Sequence, residues 1–339
     1  MKIALPQDEF YNPKLLCEFI HEFGISHVFS VQPEAEWKNI YRDVNFRKVR
    51  FHRVLTAYLD EDMLDRIRKR KRTHPERDIV LGYRTLGMTH KTHAWYGRHG
   101  FLKVAIADQV KARAVERGIA CDISHHPKDV ITGDGWYSFL LRCKYVLGTE
   151  GGTSILDWDG SLHERTGSFV KEHPNADFAE IERNCFPGMD GTFEGFAISP
   201  RHLEACATET CQVLTEGEYN GILLPGKHYI ELKKDFSNLD EVLDTIVRDD
   251  LRQNITKRAY RDVVASGKYS YAAFTKFVLE TALFDPQYKH GIRPSRAWID
   301  LVNTYTKVLD RINWAVLHVL YQGGRLLSKF IQKTGRKIS

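Results

Sequence analysis

Apolar positions in the first 75 residues alternate between short runs and helical spacing. The pattern predicts strands at 3–7, 27–31 and 49–56 and helices at 13–24, 34–44 and 60–73. Alternation of strand and helix is typical of a parallel sheet with crossover helices. Because three strands are fewer than a sheet usually holds, we expect a small N-terminal domain that ends near Pro75.

A second series of alternating elements follows Pro75. It predicts strands at 78–84, 120–124, 145–148, 211–214 and 228–232, and helices at 101–118, 134–143, 200–207 and 240–247. Residues 157–191 interrupt the series, and we expect them to form a cap or loop. The predicted fold class is α/β, with domains at 1–75 and 76–285 and a basic helical tail at 286–339.

The predicted helix that begins at Ser199 and Pro200 is a candidate anion site. Proline is tolerated in a first turn, and the free N–H groups of a helix start favour an anion. Arg201 opposes the helix dipole there, which is hard to explain without an anion. Glu204, about one turn later, is placed to accept hydroxyls of a ribose. The stretch therefore favours a phosphorylated, sugar-bearing ligand.

A glycine pair follows the predicted strand at 145–148. Glu150, Gly151, Gly152 and Ser154 lie in a segment where glycines let backbone N–H groups approach a phosphate or sugar closely. The alternative is an ordinary tight turn.

Three histidines, His90, His93 and His99, lie near Trp95 and Tyr96. The aromatic rings are candidates for stacking on a sugar or base, and His93 is a candidate catalytic residue. A structural role for each histidine is the alternative.

Composition narrows the class of protein. Hydrophobic residues make up 42% and charged residues 27% of the 339 residues, which is typical of a soluble globular protein with a sizeable core. The six cysteines show no C-x-x-C spacing, so we expect reduced thiols in a cytoplasmic protein. The carboxylates within 157–191 are too few and too separated for a calcium loop, and no metal site is predicted.

The net charge of +5 is concentrated in the tail, where nine Lys and Arg follow residue 292 against two Asp. The remainder is slightly acidic, so no nucleic-acid partner is expected. No apolar run is long enough to span a membrane, and no signal-peptide pattern is seen. Apolar and basic residues at helical spacing in 295–333 predict a helix on an anionic membrane surface; alternatively, the helix packs on the N-terminal domain or dimerises.

Six stretches together resemble GT-B glycosyltransferases, and more closely the glycosyltransferase-like proteins of bacterial surface-polysaccharide clusters. They are QDEF (7–10), LTAYLDE (55–61), DIVLGYR (78–84), GDGWYSFLLRCKYVLGTEGGTSILDWDG (133–160), AISPRHLEA (197–205) and EGEYNGILLPGKHYIELKKDFSN (216–238). The resemblance spans roughly residues 2–280, and its last two stretches are the most specific.

The resemblance implies two Rossmann-like domains, the first of them small, and transfer of a sugar from a nucleotide-sugar to a polysaccharide or lipid-linked acceptor in the cleft between them. It places Glu204 on the ribose and Ser199 and Arg201 near the diphosphate. In this fold, helix starts and cations usually stabilise the leaving group without a metal or cofactor. Arg84 and Lys227 are further candidates for that role, or are surface cations.

An inverting enzyme of this kind also needs a base. Asp8 and Glu9 follow the first predicted strand, where the acceptor is expected, although Asp8 could instead cap the next turn. The resemblance leaves the stereochemistry open, because Glu194 and Glu204 are ten positions apart where retaining families space two glutamates by seven. The acceptor implied is a glycan or a lipid-linked one, which places the protein in the cytoplasm or at the inner membrane face. The alternatives are a nucleotide-sugar epimerase and a catalytically inactive nucleotide-sugar-binding or scaffold subunit.

Overall fold

Two parallel sheets with covering helices form the part of the chain that the structure, a computed structural model, describes: residues 2–73, 76–89 and 93–283. The α/β class and the smaller first sheet are confirmed. The chain divides into a unit of residues 1–282 and a second of residues 283–339, and the contacts described below lie within the first. The predicted limits of the domains stay a prediction.

The first sheet contains three parallel strands in the order β1-β2-β3: β1 (Ile3–Ala4), β2 (His27–Ser30) and β3 (Arg50–Arg53). Helices α1 (Pro13–Glu22) and α2 (Trp37–Ile40) share a buried core with Val28, and α1 begins at its proline. Phe29 points to the opposite face, since neighbouring side chains of a strand alternate. That face is covered by Phe274 and Val278 of α11 (Tyr271–Leu283).

The predicted helix at 34–44 is shorter than expected. A 3-10 turn at Glu34–Glu36 precedes α2, which has only four residues. Tyr41 leaves helical geometry, with φ −104° and ψ 36°, and its hydroxyl donates to the buried carboxylate of Glu9. This tertiary hydrogen bond competes with continuation of the helix.

The second sheet has five parallel strands in the order β10-β9-β6-β4-β5. They are β4 (Ile79–Arg84), β5 (Cys121–Ser124), β6 (Cys143–Gly148), β9 (Cys211–Thr215) and β10 (Ile230–Leu232). One core cluster joins the sheet to α3 (Glu61–Lys71), α5 (Asp134–Arg142) and α8 (Pro200–Ala207). A second cluster joins it to α4 (Arg98–Glu116), α9 (Leu239–Thr245) and α10 (Asp249–Ala259). Met63 and Ile67 of α3 pack in the first of these clusters although they precede Pro75.

The interruption at 157–191 is a small helical subdomain. Strand β7 (Gly151–Thr153) pairs antiparallel with β8 (Gly195–Ala197), and α6 (Ser161–Glu172) and α7 (Phe178–Cys185) lie between them in the chain. Ile155, Leu162 and Phe186 form its own core. The backbone N–H groups of Asn12 and Lys14 donate to the oxygens of Asp157 and Trp158 at 2.7 and 3.0 Å, which attaches the subdomain to the start of α1.

Two carboxylates of this subdomain accept hydrogen bonds from groups within it. Asp157 accepts the N–H groups of Leu162 and His163 at 3.1 and 2.9 Å, and Asp190 accepts the hydroxyl of Ser154 at 2.6 Å. In the described residues no cluster of side chains is suited to a metal ion, and no helix is long and apolar enough to cross a membrane. The predicted membrane-binding segment 295–333 lies outside the described residues.

Candidate functional site

A cavity of about 550 Å³ opens at the carboxyl ends of β4 and β6. Ligands of parallel α/β sheets bind at this edge. Helix α4 contributes Lys103 to the wall, α5 contributes Trp136, and the start of α8 contributes residues 199–202 together with Glu204. The cavity therefore gathers side chains from three helices at the end of the sheet where binding is expected.

The helix start predicted at Ser199 and Pro200 is confirmed. Pro200 is the first residue of α8, and Ser199 is the N-cap in extended geometry. The Ser199 side chain makes no capping hydrogen bond, and Pro200 has no N–H, while the N–H of His202 donates to the Ser199 backbone oxygen at 3.1 Å. The Ser199 hydroxyl at the helix start therefore remains available to a ligand.

Three cations line the cavity, and they differ in their partners. Arg84 is held by Asp122, with its Nη2 at 2.6 Å from Oδ1, and lies over the ring of Phe139. Arg201 donates to the backbone oxygen of Arg84 and lies 5.1 Å from the centre of the Trp136 ring. Within the described ranges neither Arg201 nor Lys103 forms an ion pair with a carboxylate.

Lys103 is a site residue that the sequence analysis missed. Burial and the neighbouring Arg201 lower the pKa of its ammonium. The available signal is its position on α4, because His99, Ile106 and Val110 on the same helical stripe are all buried. A lysine on the buried face of an amphipathic helix is unusual enough to mark a site.

Glu204 faces the cavity with its carboxylate fixed on one side. Its Oε2 accepts the indole N–H of Trp136 at 2.7 Å. Burial raises the pKa of Glu204, whereas the bond from Trp136 and the charge of Arg201 lower it. The structure thus brings Ser199, Arg201, Glu204 and Arg84 together in one cavity with Lys103 and Trp136, and their binding roles stay predictions.

His202, also missed, is buried in the wall between α8 and β6. Its ring fits against Gly148, where an added Cβ would lie 2.9 Å from His202 Cε1. Burial, together with Lys103 and Arg201, lowers the pKa of His202 to about 4, so its imidazole is neutral at pH 7.

The glycine pair does not lie in this cavity. Gly151 and Gly152 belong to β7 and pair with β8, so their backbone is committed to the strand pair. Ser154 donates to Asp190 inside the subdomain. Glu150 is buried, accepts the N–H of Tyr219 at 2.7 Å, and has a pKa raised by burial.

Glu150 instead lines a second cavity, of about 410 Å³. The walls come from the loop after β2, the end of β3, the segments beside β7 and β8, and the loops after β9 and β10. Its charged side chains are Glu34, Glu36, Arg53, Glu150, Glu194, Glu218 and Lys234.

Lys227 lies away from both cavities. Its Nζ forms an ion pair of 2.8 Å with Asp262, which also contacts His228 at 3.1 Å. Lys227 lines neither of the two cavities.

The three predicted catalytic residues also line neither cavity. Glu9 is buried, accepts from Ser30 Oγ at 2.6 Å and Val31 N at 2.8 Å, and has a pKa raised by burial to about 7. Asp8 is exposed, with φ 51°. His93 is half-buried, and burial lowers its pKa.

No protein-family model and no curated protein sequence matches the chain. Among solved structures, Anabaena HepE (Alr3699) in complex with UDP-glucose is similar at 9% identity and a TM-score of 0.44, over 83% of this chain and 71% of HepE. TarM is similar at 12% identity and a TM-score of 0.40, over 83% of this chain and 50% of TarM. A glycosyltransferase from Rickettsia africae is similar at 9% identity and a TM-score of 0.38, over 81% of each chain. These structural neighbours of the chain are glycosyltransferases of the GT-B fold.

Proposed function

We propose that this chain is a glycosyltransferase that binds a nucleotide-sugar in the 550 Å³ cavity and transfers the sugar to an acceptor hydroxyl. One observation carries the proposal. Lys103 and Arg201 meet at the open start of α8 without a carboxylate partner in the described part of the chain. Lys103 is half-buried, and burial lowers the pKa of its ammonium, whereas Arg201 is exposed. Because a partly buried ammonium without a counter-charge is costly, a negatively charged ligand is the natural partner of this pair.

The same residues explain how the reaction is assisted. The positive end of the α8 dipole, with Lys103 and Arg201, holds the diphosphate and stabilises the charge that develops on the leaving nucleoside diphosphate. Glu204, positioned by Trp136, accepts the ribose hydroxyls. In this proposal the cations do the work that a divalent metal does in other enzymes, and the nucleotide-sugar is a substrate rather than a cofactor.

The acceptor belongs in the second cavity, between the ends of the first sheet and the edge of the second. Glu150 suits the role of base there, because a carboxylate with a raised pKa accepts a proton more readily near neutral pH. Roles for Asp8, Glu9 and His93 in catalysis stay predictions.

The proposed acceptor is a glycan or a lipid-linked one, and the proposed place of the C-terminal tail is an anionic membrane surface. Liposome flotation with and without residues 295–339 tests the membrane binding. Equal partitioning of the two proteins would contradict it.

Binding of a panel of UDP-, GDP-, ADP- and dTDP-sugars, measured by thermal shift and calorimetry, tests the donor site. We expect one base to be preferred, and Arg201→Ala to weaken binding strongly. Arg142→Ala is the matched control, since Arg142 pairs with Asp78 away from the cavity.

Product analysis then separates the three functions. Transfer to an added acceptor supports a glycosyltransferase, a changed sugar configuration without transfer supports an epimerase, and binding without turnover supports a scaffold subunit. A protein that binds no nucleotide-sugar would contradict all three.

A further inference from the structure

Both ring nitrogens of His202 face oxygen atoms that cannot donate a hydrogen bond. Nδ1 lies 3.0 Å from Oε1 of Gln212, and Nε2 lies 3.1 Å from the backbone oxygen of Thr149. A neutral imidazole carries one N–H, so it can donate to only one of these oxygens. The other contact then sets a nitrogen lone pair against an oxygen lone pair. Only the doubly protonated ring satisfies both.

The surroundings keep the Gln212 amide in this orientation. Its Nε2 lies 3.3 Å from the backbone oxygen of His202 and 3.4 Å from Sγ of Cys206. Turning the amide over would place Oε1 against a carbonyl oxygen, which accepts only. Exchanging the amide atoms would therefore only move the mismatch from Nδ1 of His202 to the backbone oxygen of the same residue.

The charges around His202 oppose protonation in the empty cavity. Lys103 reaches it from α4 and Arg201 from α8, while Tyr219 presents its ring at 5.1 Å. Gly148 at the end of β6 and Thr149 directly after it also contact His202, and both are uncharged. Two cations thus face a buried imidazole without a carboxylate to offset them among the groups acting on it.

We propose that His202 takes up a proton from solvent when a diphosphate diester binds in the cavity. The inference rests on the proposed function. The ligand's two negative charges offset Lys103 and Arg201, and the imidazolium then donates to both Gln212 and Thr149. The proton is the only group transferred. His202 is in this way a positioning residue that joins the end of β6 to β9 in the ligand-bound state.

Calorimetry at pH 6, in buffers of different ionisation enthalpy, measures the proton uptake directly. The probe is UDP-glucose, or the tightest ligand of the panel; both phosphates of such a ligand are esterified, so it exchanges no proton of its own near pH 6. We expect roughly half a proton or more taken up per bound ligand, and a Kd that falls as the pH is lowered from 8 to 6. His202→Gln, which keeps a donor but does not titrate, loses both effects.

Two further variants separate His202 from its neighbours. His99 is the other buried imidazole acted on by Lys103, and it contacts the Glu150 backbone oxygen at 3.2 Å. His99→Gln is expected to keep the proton uptake. Gln212→Glu sets a carboxylate beside Nδ1, so His202 is charged before the ligand arrives and uptake disappears.

Ligand binding without proton uptake in the unaltered protein would overturn this inference and leave the proposed function standing. Uptake that persists in His202→Gln, or that is lost in His99→Gln, would overturn it as well. Failure to bind any nucleotide-sugar would contradict the proposed function and this inference with it.

Discussion

Trp136 on α5 donates its indole N–H to Oε2 of Glu204 on α8 at 2.7 Å, which joins two helices beside the candidate donor cavity. The bond uses one side of the carboxylate and fixes the direction of the other. Trp136 also lies under the guanidinium of Arg201, at 5.1 Å from the ring centre. One indole therefore positions both the carboxylate and a cation of the site.

Glu204→Ala is expected to weaken nucleotide-sugar binding by about 10- to 100-fold, because hydrogen bonds from ribose hydroxyls to a charged group are lost. Calorimetry measures the change in Kd. Glu209→Ala is the matched control, since Glu209 follows α8 and pairs with Lys71 at the surface. Equal affinities of Glu204→Ala and the unaltered protein would contradict the ribose role.

Lys103→Met is expected to raise the stability of the protein and to weaken its binding of nucleotide-sugar. Methionine fills a similar volume without a buried charge, so the free energy of unfolding should rise by about 1 kcal/mol. The same change removes one of the two cations, and nucleotide-sugar affinity should fall. Chemical denaturation and calorimetry on the same preparation test both parts, and a variant that binds as well as the original would exclude Lys103 from the site.

Glu9 is expected to make stability depend on pH. Its folded-state pKa of about 7 lies above the ordinary value of 4.5, so the folded protein retains a proton that the unfolded chain releases. The stabilising contribution is complete below the ordinary pKa and is lost as the pH rises through the folded-state value. It amounts to on the order of 3 kcal/mol.

Glu9→Gln should abolish this dependence, because its amide does not titrate; its oxygen can accept from the Val31 N–H while its N–H group donates to the Ser30 hydroxyl. Denaturant titrations of both proteins at pH 5, 6, 7 and 8 measure the difference. The same pH profile for the two proteins would show that Glu9 does not titrate in this range.

Gly152→Ala is expected to disrupt the pairing of β7 with β8. Gly152 has φ 121°, and a Cβ there would lie 1.9 Å from the backbone oxygen of Gly195. We expect a loss of about 3 kcal/mol or more of stability, because a backbone atom cannot move aside cheaply. Gly151→Ala is the matched control, since its Cβ would lie 3.8 Å from the oxygen of Ala197. Equal thermal unfolding of the two variants would contradict this account.

The local sequence determined the helices and strands, and it determined the part of the candidate site that lies on α8. Apolar spacing and the proline at N1 identify α8, and Arg201 and Glu204 follow from their places in its first turns. These signals lie within a few residues of one another, so they need no knowledge of the fold. The alternation of strands and helices determined the α/β class for the same reason.

Tertiary structure alone decided which charged groups face one another. Lys103 and Arg201 are far apart in sequence and line one cavity because α4 and α8 both reach the carboxyl ends of β4 and β6. Glu9 follows a strand end, as a catalytic residue would, but later elements enclose it, and this burial raises its pKa although the hydrogen bonds from Ser30 and Tyr41 lower it. Burial and counter-charge depend on the packing of distant segments, and no periodicity within one segment encodes them.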